Sequence, residues 1–124
     1  MSRAERERWA EAHEHWPNLQ AFISDQMADC LFGDLSGVQL RLGNLIPELS
    51  SSDRSKLASE AFSFLGAFRE RHDDRPFLRD AFAVQGSLQT DDRGRGQVGR
   101  ARIKVVYDAL AASIRREQPE WVPA

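Results

Sequence analysis

The sequence contains a single cysteine, Cys30, and no apolar run near the length of about 18 residues that a membrane-spanning helix needs. One cysteine excludes an internal disulfide and leaves only a bridge between two chains. Because there is no apolar span, we predict that the protein has no membrane partner. The first residues, MSRAERERW, lack the apolar core of a signal peptide, so we predict a reducing, cytoplasmic location.

The composition is otherwise ordinary for a globular domain. Of 124 residues, 41% are hydrophobic and 29% are charged, and the formal net charge is −2. A chain of this length buries roughly two-thirds of its unfolded surface, so its core needs neither disulfides nor a structural metal. We therefore predict one domain over residues 1–124.

Apolar residues recur at helical spacing along the chain, which predicts an all-α bundle of five or six helices. The densest apolar segment runs from Leu57 to Phe68, and we expect this helix to be the central one. Within it, Phe62 widens the apolar stripe and Gly66 allows a neighbouring helix to approach closely. Ser52 or Asp53 is the expected cap of its first turn.

The other helices and connections follow from caps and breakers. The remaining helices are predicted at 3–16, at 18–32, from Asp34 or Ser36 to a point between Gly43 and Leu49, from Asp73 or Asp74 to about Gly86, and at 98–117. Residues 87–97 are polar and glycine-rich, and we predict a mobile loop there. Residues 119–124 form a short tail, whose Trp121 should dock on the domain.

One half of the chain is acidic. Between Glu11 and Asp53, seven acidic residues are opposed by one basic residue, Arg41, which gives a charge of −6. Small proteins use such faces to steer association with basic partners and to set specificity. The candidate partner-binding residues are Asp25, Asp29 and Asp34, together with Glu11 and Glu14. The simpler interpretation is a surface that is acidic for solubility alone.

The C-terminal segment has the opposite charge. Between residues 93 and 117, seven basic residues outnumber two acidic ones, which gives +5. The candidate anion-binding residues, which surround a predicted helix N-terminus, are Arg93, Arg95, Arg100, Arg102 and Lys104. Phosphate or nucleic acid would suit this pattern. No aromatic residue is interleaved between residues 93 and 104 for base stacking, and arginines on an amphipathic helix more often form a solvated face.

No catalytic or cofactor motif has the context that it requires. The segment from Gly94 to Gly99 matches G-x-G-x-x-G, but no strand precedes it. His13 and His15 are two residues apart and lie on different faces of a helix, and Glu11 with His15 supplies only two metal ligands. Cys30 lies on an apolar helical face, where a buried thiol is expected. We therefore predict no cofactor, no metal and no enzymatic activity.

Several short segments carry a resemblance to a known family. These are Leu31-Phe32-Gly33-Asp34-Leu35 after an acidic amphipathic helix, then Phe62-Ser63-Phe64-Leu65, Phe77-Leu78 and Ala81-Phe82-Ala83-Val84. In this order they resemble a family of small helical bacterial proteins of unassigned function, over about residues 18–86. The resemblance implies a helical fold and a bacterial source, and it carries over no functional residues. Separately, the size, helicity and acidic face are similar to those of immunity proteins that neutralise bacterial toxins.

Two functional hypotheses follow from the two charged segments. The first is a protein-binding module, most concretely a toxin-neutralising immunity-type protein that occludes a basic partner through its acidic face. The second is a nucleic-acid- or phosphate-binding regulator that uses the basic segment at 93–104. An enzyme ranks third, with no reaction indicated. Homodimerisation through the first helix or the tail is compatible with each of them.

Overall fold

The computed structural model describes residues 1–86 and 97–124. Within these ranges the chain forms six α-helices and one short 3₁₀ helix. Their bounds are α1 (Arg3–His15), α2 (Pro17–Gln26), α3 (Leu35–Leu45), η1 (Ile46–Glu48), α4 (Ser51–Ala67), α5 (Asp74–Ala81) and α6 (Val98–Glu117). The predicted all-α bundle is thereby confirmed. The predicted mobile loop at 87–97 lies outside the described residues, except for Gln97.

The helix α4 has the apolar density from which a central position is predicted, but α6 contacts more elements: α3, η1, α4 and α5. The helix α4 packs most extensively on α6 and also contacts α2. The ring of Phe64, which is fully buried, lies between 4.3 and 6.2 Å, centroid to centroid, from four other aromatic rings. Those rings belong to Trp16, Phe68, Phe77 and Phe82. Phe64 therefore joins the α1–α2 junction, the end of α4 and both ends of α5 in one core.

Two helices are capped at their N-termini by a carboxylate from another helix. Glu60 of α4 accepts hydrogen bonds from the backbone N–H groups of Asn18 and Leu19, at 2.9 and 3.0 Å, where α2 begins. Asp74 of α5 is buried and accepts a hydrogen bond from the backbone N–H of Arg100, at 2.7 Å, where α6 begins. A carboxylate in this position satisfies free amides and is stabilised by the helix dipole.

The helix α2 ends at Gln26 rather than at the predicted Phe32. Residues 27–32 form turns instead, and these turns bury Met27, Leu31 and Phe32 in the core. The turns leave carbonyl oxygens without helical partners, and distant groups bond to them. The carbonyl of Gln26 accepts a hydrogen bond from the Arg41 side chain at 2.7 Å. The carbonyl of Ala28 accepts one from the Gln85 backbone at 2.8 Å, and that of Leu31 accepts one from Arg102 at 3.5 Å. Tertiary contacts thus override the helical periodicity of this segment.

The helix α5 also ends early, at Ala81 instead of near Gly86. Ala83 has a φ of 57°, which is left-handed backbone and reverses the chain after a helix. The backbone N–H of Val84 then donates to the carbonyl of Leu78 at 3.3 Å. This turn buries the side chain of Val84 on the core.

Three details of α4 differ from the sequence prediction. Its first turn is capped by Ser50, whose hydroxyl accepts a hydrogen bond from the backbone N–H of Asp53 at 3.1 Å, and not by Ser52 or Asp53. Phe62 is 47% exposed and lies outside the buried stripe. Gly66 faces open space, so no neighbouring helix uses it for close approach.

Close approach between helices occurs at Gly99, near the start of α6. A Cβ atom on Gly99 would lie 2.9 Å from Leu78 Cδ1 and 3.1 Å from backbone atoms of Asp74. These distances are too short for a side chain, so the glycine allows α6 to lie directly against α5. The same contact brings the Asp74 carboxylate to the amide of Arg100.

The C-terminal tail docks on the domain, as predicted. Trp121 is partly buried against the core, and the guanidinium of Arg115 lies 5.5 Å from its ring centroid. Arg115 Nε also donates to the carbonyl of Trp121 at 3.2 Å.

The central position of Phe64 predicts a large loss of stability on truncation. Phe64→Ala should lower the free energy of unfolding by about 3–5 kcal/mol, because it removes a fully packed ring. The matched control is Phe62→Ala, which removes an exposed ring of the same helix and should cost about 1 kcal/mol or less. Urea unfolding followed by circular dichroism measures both. Equal losses in the two variants would show that the core is not centred on Phe64.

Alanine at Gly66 and alanine at Gly99 should have opposite effects on the stability of the fold. Gly99→Ala should destabilise the fold by about 1–3 kcal/mol, because its Cβ meets backbone atoms of Asp74. Gly66→Ala should stabilise it by roughly 0.5–1 kcal/mol, because alanine favours a helix and the space is open. The shift of the urea midpoint gives the sign for each variant. A stabilising Gly99→Ala would contradict the tight packing of α6 on α5.

Candidate protein-binding surface

Three of the predicted acidic residues lie on one continuous stretch from α2 to α3. Asp25 is in the last turn of α2, Asp29 is in the turns that follow, and Asp34 precedes the first residue of α3; all three are exposed. Asp29 Oδ1 is 3.6 Å from Arg41 Nη1, while its side chain remains 70% exposed. The Asp34 carboxylate accepts a hydrogen bond from the hydroxyl of Ser36. These three exposed carboxylates, which we call the acidic edge, are available to a partner.

The other two predicted acidic residues, Glu11 and Glu14, are on α1. Glu11 is ion-paired with Arg71 at 3.0 Å, and Arg71 also pairs with Asp73 at 2.8 Å. The hydrogen bond from Arg71 holds the pKa of Asp73 below its ordinary value, and the same bond raises the pKa of Arg71. Glu14 is exposed, 3.9 Å from His15. No contact among the described residues joins Glu11 or Glu14 to the three aspartates, so Glu11 acts within the fold.

A groove lies beside Asp25, with α2 on one side and η1 and the start of α4 on the other. Two adjoining cavities of about 400 and 200 Å³ form it, and both are lined by Ala21, Phe22 and Leu49. Leu45 completes an apolar floor. Leu45 and Leu49 are only partly buried, so the floor remains accessible from outside.

Three carboxylates and one ammonium group surround this groove. Asp25 and Glu48 line one end, and Asp53 and Lys56 line the other. All four residues are exposed. Glu48 and Asp53 contribute to the acidic charge that the sequence reveals, but they are not among the candidate contact residues. Only the turn made by η1 places them across the groove from α2. Pro47 marks a break there, but no local signal specifies the direction that the chain then takes.

The single cysteine lies next to the acidic edge. Cys30 is half-buried rather than fully buried as the sequence predicts. Burial raises the pKa of its thiol, Arg41 opposes this shift, and the charge of Asp29 adds to it. The thiol is therefore protonated at neutral pH, which makes it a poor nucleophile.

The described residues of the basic set each contact another group of the protein, and Lys104 remains exposed in its pair. Arg100 Nε donates to the carbonyl of Leu65 at 2.8 Å, at the C-terminal end of α4. Arg102 makes a long contact to the turns after α2, and Lys104 Nζ pairs with Asp108 at 2.8 Å. The start of α6 already holds the carboxylate of Asp74 where an external anion would bind. Arg93 and Arg95 lie outside the described residues.

A separate cavity, of about 430 Å³, lies between α3, η1 and α6. Its charged edge has one acid, Asp108, and one base, Arg116, and Asp108 is already paired with Lys104. This mixed edge selects no ligand by charge. Within residues 1–86 and 97–124, no three His, Cys, Asp or Glu side chains are grouped as metal ligands. In the same ranges, no helix combines the length and apolar character that crossing a bilayer requires.

Comparison with protein-family models, curated proteins and solved structures finds no match to this chain. The resemblance to small helical bacterial proteins therefore stays a prediction, and function is inferred from the geometry of this chain.

The Arg71–Asp73 pair predicts how stability depends on pH. Because the folded-state pKa of Asp73 is lowered, the pair stabilises the fold above the ordinary carboxyl pKa, and this contribution is lost as the pH falls through the lowered value. Asp73→Asn should therefore reduce the difference in unfolding free energy between neutral and acidic pH. Urea unfolding at a series of pH values measures this difference. The control is Asp25→Asn, which removes an exposed carboxylate that forms no ion pair with residues 1–86 or 97–124. An unchanged acid dependence in Asp73→Asn would contradict the prediction.

Proposed function

We propose that this chain is a protein-binding module that recognises a basic partner, and that it acts as an immunity-type protein by occluding a toxin. The observation that supports this most strongly is the apolar groove beside Asp25, with carboxylates on both of its sides. Exposed Asp29 and Asp34 continue the acidic edge beyond the groove. An apolar centre with a charged rim is the usual anatomy of a protein–protein contact.

The two parts of this surface have different roles. Long-range attraction from the carboxylates raises the rate at which a basic partner arrives in the correct orientation. The apolar floor then loses its contact with water, which slows dissociation. Neutralisation by occlusion needs no chemistry from the binding protein, since a partner whose basic surface is covered cannot reach its own anionic target.

The nucleic-acid alternative has less support than the protein-binding function. Arg100 and Lys104 already bond to groups within the fold, and Asp74 occupies the N-terminus of α6. The exposed acidic edge would repel a phosphate backbone. Among the described residues, a nucleic-acid partner would therefore meet a helix N-terminus that already holds Asp74 and an Arg100 that is bonded to Leu65.

The proposal predicts capture of a basic protein that depends on the acidic edge. The tagged full chain, incubated with a nuclease-treated lysate of its source cells, should retain a stoichiometric basic protein in moderate salt, identified by mass spectrometry. The double variant Asp25→Lys/Asp29→Lys should then slow association with the purified protein by at least about tenfold at low salt. The far-ultraviolet circular dichroism should not change, because both side chains are exposed.

The matched control reverses two acidic residues outside the acidic segment. Glu70→Lys/Glu117→Lys changes the net charge by the same amount at exposed positions, and it should have a much smaller effect. Equal slowing by the two double variants would mean that net charge, and not this surface, attracts the partner. Co-purification of nucleic acid before nuclease treatment, lost with added salt, would favour the alternative instead.

A further inference from the structure

The shape of the groove sets the kind of occupant that fits it. Between Asn18 and Asp25, α2 forms one wall over about 10 Å at its rise per residue, which corresponds to about two helical turns of an occupant. The opposite wall is formed by Leu49 and the first turns of α4. The groove is open at its top and continuous across its two cavities. A short elongated segment fits this space better than a compact small molecule does.

The charge of the groove restricts the occupant further. Three carboxylates and one ammonium group leave the rim acidic, and the two ends differ. At one end both ionisable lining residues, Asp25 and Glu48, are acidic, and the nearby Arg41 is turned to the Gln26 carbonyl and Asp29; at the other end Lys56 partly balances Asp53. A cationic side chain is therefore favoured at the first end, and an anionic lipid surface or a nucleic acid is disfavoured there.

From this geometry we propose that the groove binds a short amphipathic segment of the partner protein, with one face basic and the other apolar. Its apolar side chains lie over Phe22, Leu45 and Leu49, and a lysine or arginine lies between Asp25 and Glu48. This inference rests on the proposed protein-binding function and specifies which element of the partner is recognised. It corresponds to the helix-in-groove mode of recognition, in which side chains spaced three or four residues apart act as anchors.

A defined peptide tests the groove without the natural partner. The probe is a synthetic amphipathic helical peptide with lysines on one face and leucine and phenylalanine on the other. Titrated into the ¹⁵N-labelled full chain, it should produce saturable shifts at the amides of Ala21, Phe22, Leu45 and Leu49. A short segment of this size should bind with a Kd of roughly 10 µM to 1 mM.

A scrambled peptide of the same composition separates groove binding from simple charge attraction. It has the same net charge but no apolar face, and it should bind at least about tenfold more weakly. Equal binding of the two peptides would overturn the proposal, as would shifts centred on α1 or α6. Concentration-dependent shifts of the groove amides without any peptide would identify a second copy of this chain as the occupant, which would also overturn it.

Filling the groove without changing its charge gives a second, independent test. Ala21 is exposed and lines both cavities, so Ala21→Trp should block the groove and weaken peptide binding by at least about tenfold while the fold persists. The matched control is Ala10→Trp, an exposed position of α1 outside the groove, and it should leave the Kd unchanged. Equal Kd values for the wild type and the Ala21→Trp variant would overturn the proposal.

The outcomes also separate this inference from the broader proposed function. If Ala21→Trp leaves the captured partner bound while Asp25→Lys/Asp29→Lys weakens it, the acidic edge binds the partner and the groove inference fails. If neither variant changes partner binding, the proposed function fails together with the groove. If Ala21→Trp weakens both the peptide and the captured partner, the groove is the site of recognition.

Discussion

The packing of aromatic rings around Phe64 is the interaction on which the rest of the structure depends. The ring of Phe68 stacks on it at 4.3 Å, and the edge of Trp16 contacts it at 5.1 Å. Trp16 lies at the junction where α1 ends and α2 begins, so the course of the chain through its first two helices is fixed against α4. The Trp16 indole N–H also donates to the Ser63 hydroxyl, which orients the ring. The wall that α2 contributes to the groove is therefore positioned by this core.

Carboxylates have two different roles in this protein: some cap helices and others surround the groove. Glu60, which is partly buried, and Asp74, which is buried, each cap a neighbouring helix that has no side-chain cap of its own. Asp25, Glu48 and Asp53 are turned outward, where they surround an apolar floor. The sequence alone does not distinguish the acidic residues that cap helices from those that surround the groove. What decides which ones face a partner is whether the fold brings the N-terminal amides of another helix to the carboxylate, as it does for Glu60 and Asp74.

The elements with strong local signals follow from the sequence, and the exceptions have tertiary causes. The bounds of α6 agree with apolar periodicity and breakers. The end of α2 does not, because Arg41 and other distant groups take up the carbonyls that the turns release. The sequence alone does not distinguish the packing of Gly66 from that of Gly99. Only Gly99 lies in close contact with α5.

The residues of the candidate protein-binding surface follow from the sequence only in part. Asp25, Asp29 and Asp34 are close in sequence, so their place on one stretch between α2 and α3 follows from chain continuity. Glu48 and Asp53 come opposite Asp25 only through the turn at η1, which depends on how α3 and α4 pack. Charge alone places Glu11 among the candidate contact residues. Its pairing with Arg71 depends on a contact between α1 and the loop before α5, which no local sequence pattern predicts.

The capping of α2 by Glu60 makes this helix depend on the whole domain. With ten residues, α2 is too short to be stable alone in water, and the amides of its first turn are satisfied only when α4 is in place. The two walls of the groove are therefore parts of one cooperative unit, and the groove does not exist in the unfolded chain. A molecule that spans both walls binds only the native state, so it raises the thermal stability of the protein by an amount that grows with its concentration relative to its Kd.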